Sequence, residues 1–211
     1  MNDYYLIVAD GITGIITFIS IFLCFINVCI FKKLNRHYRA LSAYIIFCSF
    51  FDFLNIILIQ FNFPNVGLLP LFNSIELCLI LYFFNKKCLN AQIFKLILIS
   101  GIGVNLIELI SYLVSDNFIL NKGRIFNSLL FVILILYILA QKVNKLKDLT
   151  LYYVMLIYFS ITFIQFLLLE FLMQIPDNSI FITWILYAVA GIILYINLTH
   201  YLWKITRISN T

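Results

Sequence analysis

IFKLILISGIGVNLIELISYLV, residues 93–114, is apolar for nearly its whole length, yet it carries Asn105 and Glu108 close to its end. A helix needs about 20 mostly apolar residues to cross a bilayer, and this run is long enough. The same spacing of amide and acid recurs in NSIE, residues 73–76, inside another apolar run. A chain that keeps two such pairs in greasy surroundings must turn them away from lipid.

The composition demands the same solvent. Hydrophobic residues make up 64% of the 211 and charged residues 11%, and the mean hydropathy is +1.07. Soluble domains carry about 25% charged residues, so the excess apolar surface points to an integral membrane protein. Aromatic residues, at 18%, suit interfacial belts and helix seams.

Seven runs have the length and composition of membrane helices: 4–31, 42–63, 69–85, 93–114, 124–141, 149–174 and 179–203. Turn-forming stretches separate them, among them FPNVGLLP (63–70), SDNFILNKGR (115–124) and IPDNS (175–179). The expected architecture is an all-α, seven-transmembrane-helix bundle forming a single domain over 1–211, with no soluble domain. Similar openings in LFNSIELCLILYFF, IFNSLLFVILILYIL and IFITWILYAVAGIILY suggest one helix followed by three helical hairpins. Asp3 and Asp10 near the start are unlike the basic n-region of a cleaved signal, so the first helix is expected to be retained.

Lys and Arg set the orientation. Lys32, Lys33, Arg36, Arg39, Lys86, Lys87, Lys95, Lys142, Lys145, Lys147, Lys204 and Arg207 fall on one side, and only Lys122 and Arg124 on the other. That places the N-terminus outside and the C-terminus in the cytoplasm. The net charge of +5 then reflects topology, and no basic soluble face exists for a nucleic acid. Abundant Ile, Asn, Phe, Tyr and Lys fit an AT-rich bacterial genome, hence a bacterial inner membrane.

An acid at the bilayer centre costs about 2.5–3.5 kcal/mol, so intramembrane acids turn toward protein or water and mark sites. Residues three or four apart share a helix face. Asp52 thus pairs with Asn55, Asn73 with Glu76, and Asn105 with Glu108 on a face shared with Gly101 and Tyr112. Helix 1 presents Asp10, Thr13, Thr17, Ser20, Cys24 and Asn27 as one stripe. Glu76 and Glu108 each lie about two turns from the outer helix ends, at similar depth, and Asp10 and Glu170 also fall in the outer half. The ligand- or ion-binding candidates are therefore Asp10, Asp52, Asn55, Asn73, Glu76, Asn105, Glu108 and Glu170, around an outward-facing polar cavity. Contact between Glu76 and Glu108 would make a proton or cation site, since like charges resist joint ionisation.

Other chemistries lack their residues. The two histidines, His37 in the first cytoplasmic loop and His200 near the inner end of the last helix, form no zinc pair. No GxSxG, phosphate loop or cofactor motif occurs, and Lys204 sits too far inward for a retinal Schiff base. The five cysteines are odd in number, lack CxxC spacing and read as apolar filler. Neither a catalytic residue nor a metal or cofactor is expected.

Three functions fit. The first is a receptor-like sensory module that binds a small ligand or ion from outside and signals to a separate cytoplasmic partner. That partner would dock on KKLNRHYRALS and QKVNKLKDLT through Lys32, Lys33, Arg36, Arg39, Lys142, Lys145 and Lys147. The second is a small transporter or channel that uses the carboxylates for coupling, with an inner path past Cys48, Ser49, Ser100 and Gly101. The third is a structural subunit of a membrane complex, with the polar faces as interhelical glue.

Overall fold

A computed structural model describes residues 3–61, 66–88, 90–114, 121–142, 149–172, 174 and 179–208. Among them the chain is helical, with no strand. The helices are α1 (Asp3–Phe31), α2 (Arg36–Gln60), α3 (Leu69–Cys88), α4 (Ala91–Val114), α5 (Lys122–Lys142), α6 (Leu149–Leu167), α7 (Leu169–Leu172) and α8 (Ser179–Ile208); a single 3-10 turn, Val66–Leu68, leads into α3. Helix is the natural state of such runs in lipid, because it satisfies every backbone N–H and C=O within the segment.

Among the described residues, six helices are long and apolar enough to cross a membrane: α1, α2, α4, α5, α6 and α8. The apolar part of α3, Leu69–Phe84, is shorter, because Lys86 and Lys87 follow it. Successive helices from α1 to α6 pack each against the next, α6 packs against α8, and α1 meets α8 to close a ring. Inside the ring α2 touches α8 and α3 touches α5. α4 lies against both α3 and α5 and is the least buried of the spans. Its outward residues, including Leu96, Ile99, Ile107 and Leu113, are exposed, as they should be where the solvent is hydrocarbon.

Two boundaries differ from the expected ones in ways that matter here. α2 begins at Arg36 rather than 42, so part of the predicted loop KKLNRHYRALS is helix. Arg39 there donates from Nε to the Leu34 carbonyl at 2.9 Å and from Nη2 to that of Lys32 at 3.2 Å, taking up carbonyls that follow the end of α1. The earlier start also overturns the expectation of a solvated His37. Its ring is buried and stacks on Phe83, with centroids 4.9 Å apart. Finally, the run expected over 149–174 breaks at Leu168 into α6 and α7.

Apolar side chains fill the centre, with Tyr44, Ile45, Leu77, Phe84, Phe131, Phe159 and Leu198 among those closed to solvent. Polar stitches fasten α1 into it. Ser20 donates to Ser49 Oγ at 2.9 Å, and Asn27 Nδ2 donates to Thr199 Oγ1 and to the Leu23 carbonyl, both at 2.8 Å. Such bonds hold helices together where no hydrophobic drive separates protein from lipid. Cys24, Cys29, Cys48 and Cys78 are free thiols.

Candidate functional site

Both amide–acid pairs serve the same segment, the start of α5. A helix begins with unpaired backbone N–H groups that need an acceptor. Glu108, reaching across from α4, supplies it. Its carboxylate accepts from the backbone N–H of Lys122 at 2.7 Å and of Gly123 at 2.9 Å. A negative charge is also favoured at the positive end of the helix dipole. Glycine at 123 is what permits the approach. A Cβ there would lie 2.2 Å from Asn105 Oδ1 and 2.6 Å from Glu108 Oε2; Glu108 cannot retreat without giving up the cap, and the Asn105 amide is held by its Nδ2 bond to the Gly101 carbonyl at 2.7 Å.

The other pair receives Arg124, the residue after Gly123 in the first turn of α5. Its guanidinium forms an ion pair with Glu76, and the two side chains are 1% and 0% exposed. Asn73 Oδ1 lies 3.5 Å from Nη1, and Asn127 Nδ2 donates to the Asn73 carbonyl at 2.9 Å. The second carboxylate oxygen of Glu76 accepts from the Tyr44 hydroxyl at 3.0 Å. Arg124 Nη2 donates to Tyr158 at 3.0 Å and to Tyr187 at 3.1 Å, and the rings of Phe72 and Phe166 lie 5.3 and 5.9 Å from its guanidinium carbon. One charged centre thus ties together α2, α3, α5, α6 and α8. The planar fork of arginine suits this many-partner geometry in a way a lysine would not.

Tyr158 and Tyr187 face two ways. Besides holding Arg124, their side chains help line a cavity of about 240 Å³ among α1, α2, α6 and α8. Ile16 and Thr17 line it from α1, Asp52, Asn55 and Ile56 from α2, and Ala188, Gly191, Ile192 and Tyr195 from α8. Asp52 Oδ2 accepts from Ser20 at 3.3 Å. Neither Asp52 nor Asn55 makes a further hydrogen bond within the described residues.

The site residues expected from sequence therefore separate into three places. Asp52 and Asn55 line the cavity. Asn73, Glu76, Asn105 and Glu108 are buried around the start of α5, and none of them lines the cavity. The expected approach of Glu76 to Glu108 is replaced by two separate partnerships, because Arg124 and the α5 terminus each claim one acid. Glu170 is exposed on α7, with Asn121 Nδ2 at 3.4 Å from its carboxylate. The side chain of Asp10 lies outside the described residues, as do Lys145 and Lys147 and the side chain of Lys142. Lys32, Lys33, Arg36 and Arg39 are exposed together around the α1–α2 turn.

The inner path imagined for transport does not assemble. Ser49 bonds to Ser20, Ser100 bonds to the Ile97 carbonyl of its own helix, and a Cβ on Gly101 would meet Leu77 at 2.3 Å. Neither these residues nor Cys48 borders the cavity. Among the described residues no group of three or more His, Cys, Asp or Glu is placed to hold a metal.

Sequence reading missed Arg124, Tyr44, Tyr158 and Tyr187. The signal for Arg124 was present: it breaks the positive-inside pattern and follows a glycine at a helix start. The tyrosines carried none, since aromatic residues are abundant throughout.

No protein-family model matches the chain, and neither a curated protein nor a solved structure does. Its six span-length apolar helices suit a polytopic membrane protein, and the geometry alone carries any finer reading.

Proposed function

We propose that the chain is a seven-span protein of the cell membrane, N-terminus outside and C-terminus cytoplasmic, acting as a receptor-like sensory module. A small ligand enters the cavity beside Asp52, and a separate cytoplasmic partner reads the response. The observation that carries this reading is the double role of Tyr158 and Tyr187. They line the cavity and also hold the guanidinium that joins five helices. A ligand that favours one arrangement of these hydroxyls biases the packing of α5, α6 and α8, and an equilibrium moves by no more than such a differential interaction. With this orientation, Asp52 and Tyr187 sit in the outer halves of α2 and α8 and Tyr158 at the middle of α6, so the cavity lies toward the outside. The exposed cluster of Lys32, Lys33, Arg36 and Arg39 lies at the opposite end, where an acidic face of the partner would dock.

The test combines two assays on the full-length chain. Tagged protein is purified from native membranes with whatever co-purifies, and is separately reconstituted into liposomes for solute flux. A stoichiometric signalling enzyme, lost when the four basic residues become glutamine, supports the sensor. Solute flux abolished by Asp52→Asn, with no such partner, overturns it in favour of transport.

A further inference from the structure

The cavity carries an uncompensated charge. Among the described residues Asp52 is the sole carboxylate in its lining, which holds no Lys, Arg or His. The two fully buried acids in the described helices each have a counter-group. Glu76 has Arg124, and Glu108 has the start of α5. Asp52 has only the Ser20 hydroxyl on one oxygen. Asn55, one turn on, leaves its amide unpaired among the described residues. Both side chains are half-buried, so their polar groups remain available to a partner that enters the cavity. The guanidinium of Arg124, which donates to the Tyr158 and Tyr187 hydroxyls, is already paired with Glu76.

The rest of the wall says what kind of partner is missing. Tyr158, Tyr187 and Tyr195 all border the space. Aromatic faces attract cations, above all organic ammonium groups. The volume, about 240 Å³, has room for an organic body well beyond a single ion. An apolar cavity of about 150 Å³ accepts benzene, whereas one water takes about 30 Å³ of liquid. Ile16, Ile56 and Ile192 supply an apolar surface for a hydrocarbon body.

We infer that the cavity is a site for a small organic ammonium ion, its charged head held by Asp52, Asn55 and the tyrosine rings and its apolar body against Ile16, Ile56 and Ile192. The inference rests on the sensory reading above and names its ligand class. It goes beyond that reading by requiring a charged head: a neutral molecule of the same shape leaves Asp52 unpaired.

The probe is 2-phenylethylamine, set against 2-phenylethanol as its uncharged analogue, with the full chain in lipid nanodiscs. Trp184, whose ring centroid is 5.8 Å from that of Tyr187, provides a fluorescence signal, and thermal shift gives an independent one. The amine is expected to bind more tightly than the alcohol by about tenfold or more, the worth of one hydrogen bond to a charged group. Asp52→Asn should erase that preference, and Ala188→Leu, which fills the cavity from α8, should abolish binding of both probes. Should Asp52→Asn fail to fold, the amine-to-alcohol ratio in the wild type and the Ala188→Leu result still decide. Equal binding of the two probes, lost in Ala188→Leu, would overturn the ammonium assignment and leave the ligand-binding reading standing. Absence of binding by either probe at millimolar concentration would overturn both.

Discussion

Replacing Glu76 with leucine should damage this protein more than replacing Arg124 with leucine, and replacing both should damage it less than either single change would suggest. The pair is 1% and 0% exposed, so no water can take over from a lost partner. Breaking a buried ion pair from one side costs about 3–5 kcal/mol, while removing both charges is often close to neutral. The two orphans are not equivalent. Without Arg124, Glu76 keeps the Tyr44 hydroxyl and can become neutral by taking up a proton. Without Glu76, Arg124 keeps Tyr158, Tyr187 and Asn73, but a guanidinium cannot shed its charge. Glu76→Leu should therefore fall near the upper end of the range and Arg124→Leu near the lower. On the scale of soluble domains of this size, about 2–4 °C per kcal/mol, the single variants should melt about 6–20 °C below the wild type. The assay is thermal unfolding of all four proteins in one detergent, arranged as a double-mutant cycle. Additive losses, or a Glu76→Leu protein that melts with the wild type, would show that the charges do not depend on each other and would refute the buried-pair reasoning.

Further outcomes follow from the same geometry. Gly123→Ala places a methyl against Asn105 and Glu108, so it should cost about 1–3 kcal/mol as an overpacked site; a melting temperature equal to that of the wild type would mean the cap is not tight. Tyr158→Phe and Tyr187→Phe each leave Arg124 Nη2 one acceptor, whereas the double variant leaves none. The double loss should exceed the sum of the singles, by about 1–3 kcal/mol for an unsatisfied buried donor, and additivity in thermal unfolding would count against sharing. Asn27→Leu breaks the α1–α8 link to Thr199 and should cost about 0.6–1.7 kcal/mol, the range for interhelical bonds in membranes; no loss of stability would mark that bond as idle.

Much of the architecture was readable because lipid imposes a strong rule on sequence: long apolar runs, short breaks, polar residues facing inward. The face shared by Gly101, Asn105 and Glu108 was predicted from spacing alone and is the buried face of α4. What spacing could not supply was partner choice. Periodicity tells which residues share a face of one helix and is silent on what crosses from the next. Two acids of similar predicted depth therefore looked like neighbours, although an arginine and a helix terminus stand as their partners. Arg124 was hidden for a related reason. A basic residue beside a turn reads as a charge at the membrane rim, and only the packing of α5 between α3 and α6 shows that it points inward. The length of α2 was misjudged because RHYR is polar enough to resemble a loop, while its arginines and histidine in fact sit on the first turns of the helix.

The repeated amide–acid spacing has one structural explanation at two positions. A helix that starts below the membrane surface exposes two kinds of unmet demand, its own N–H groups and any cation placed in its first turn. α5 has both, and each is met by an acid from a different neighbouring helix, Glu108 for the backbone and Glu76 for Arg124. These acids are committed to holding the bundle together, so their titration or exchange with a solute would loosen the start of α5. That sets them apart from Asp52. It lines an open space, holds one hydroxyl and has no cation of its own. Of the acids described in the spans, Asp52 is the one whose charge is free to be used on something other than the fold.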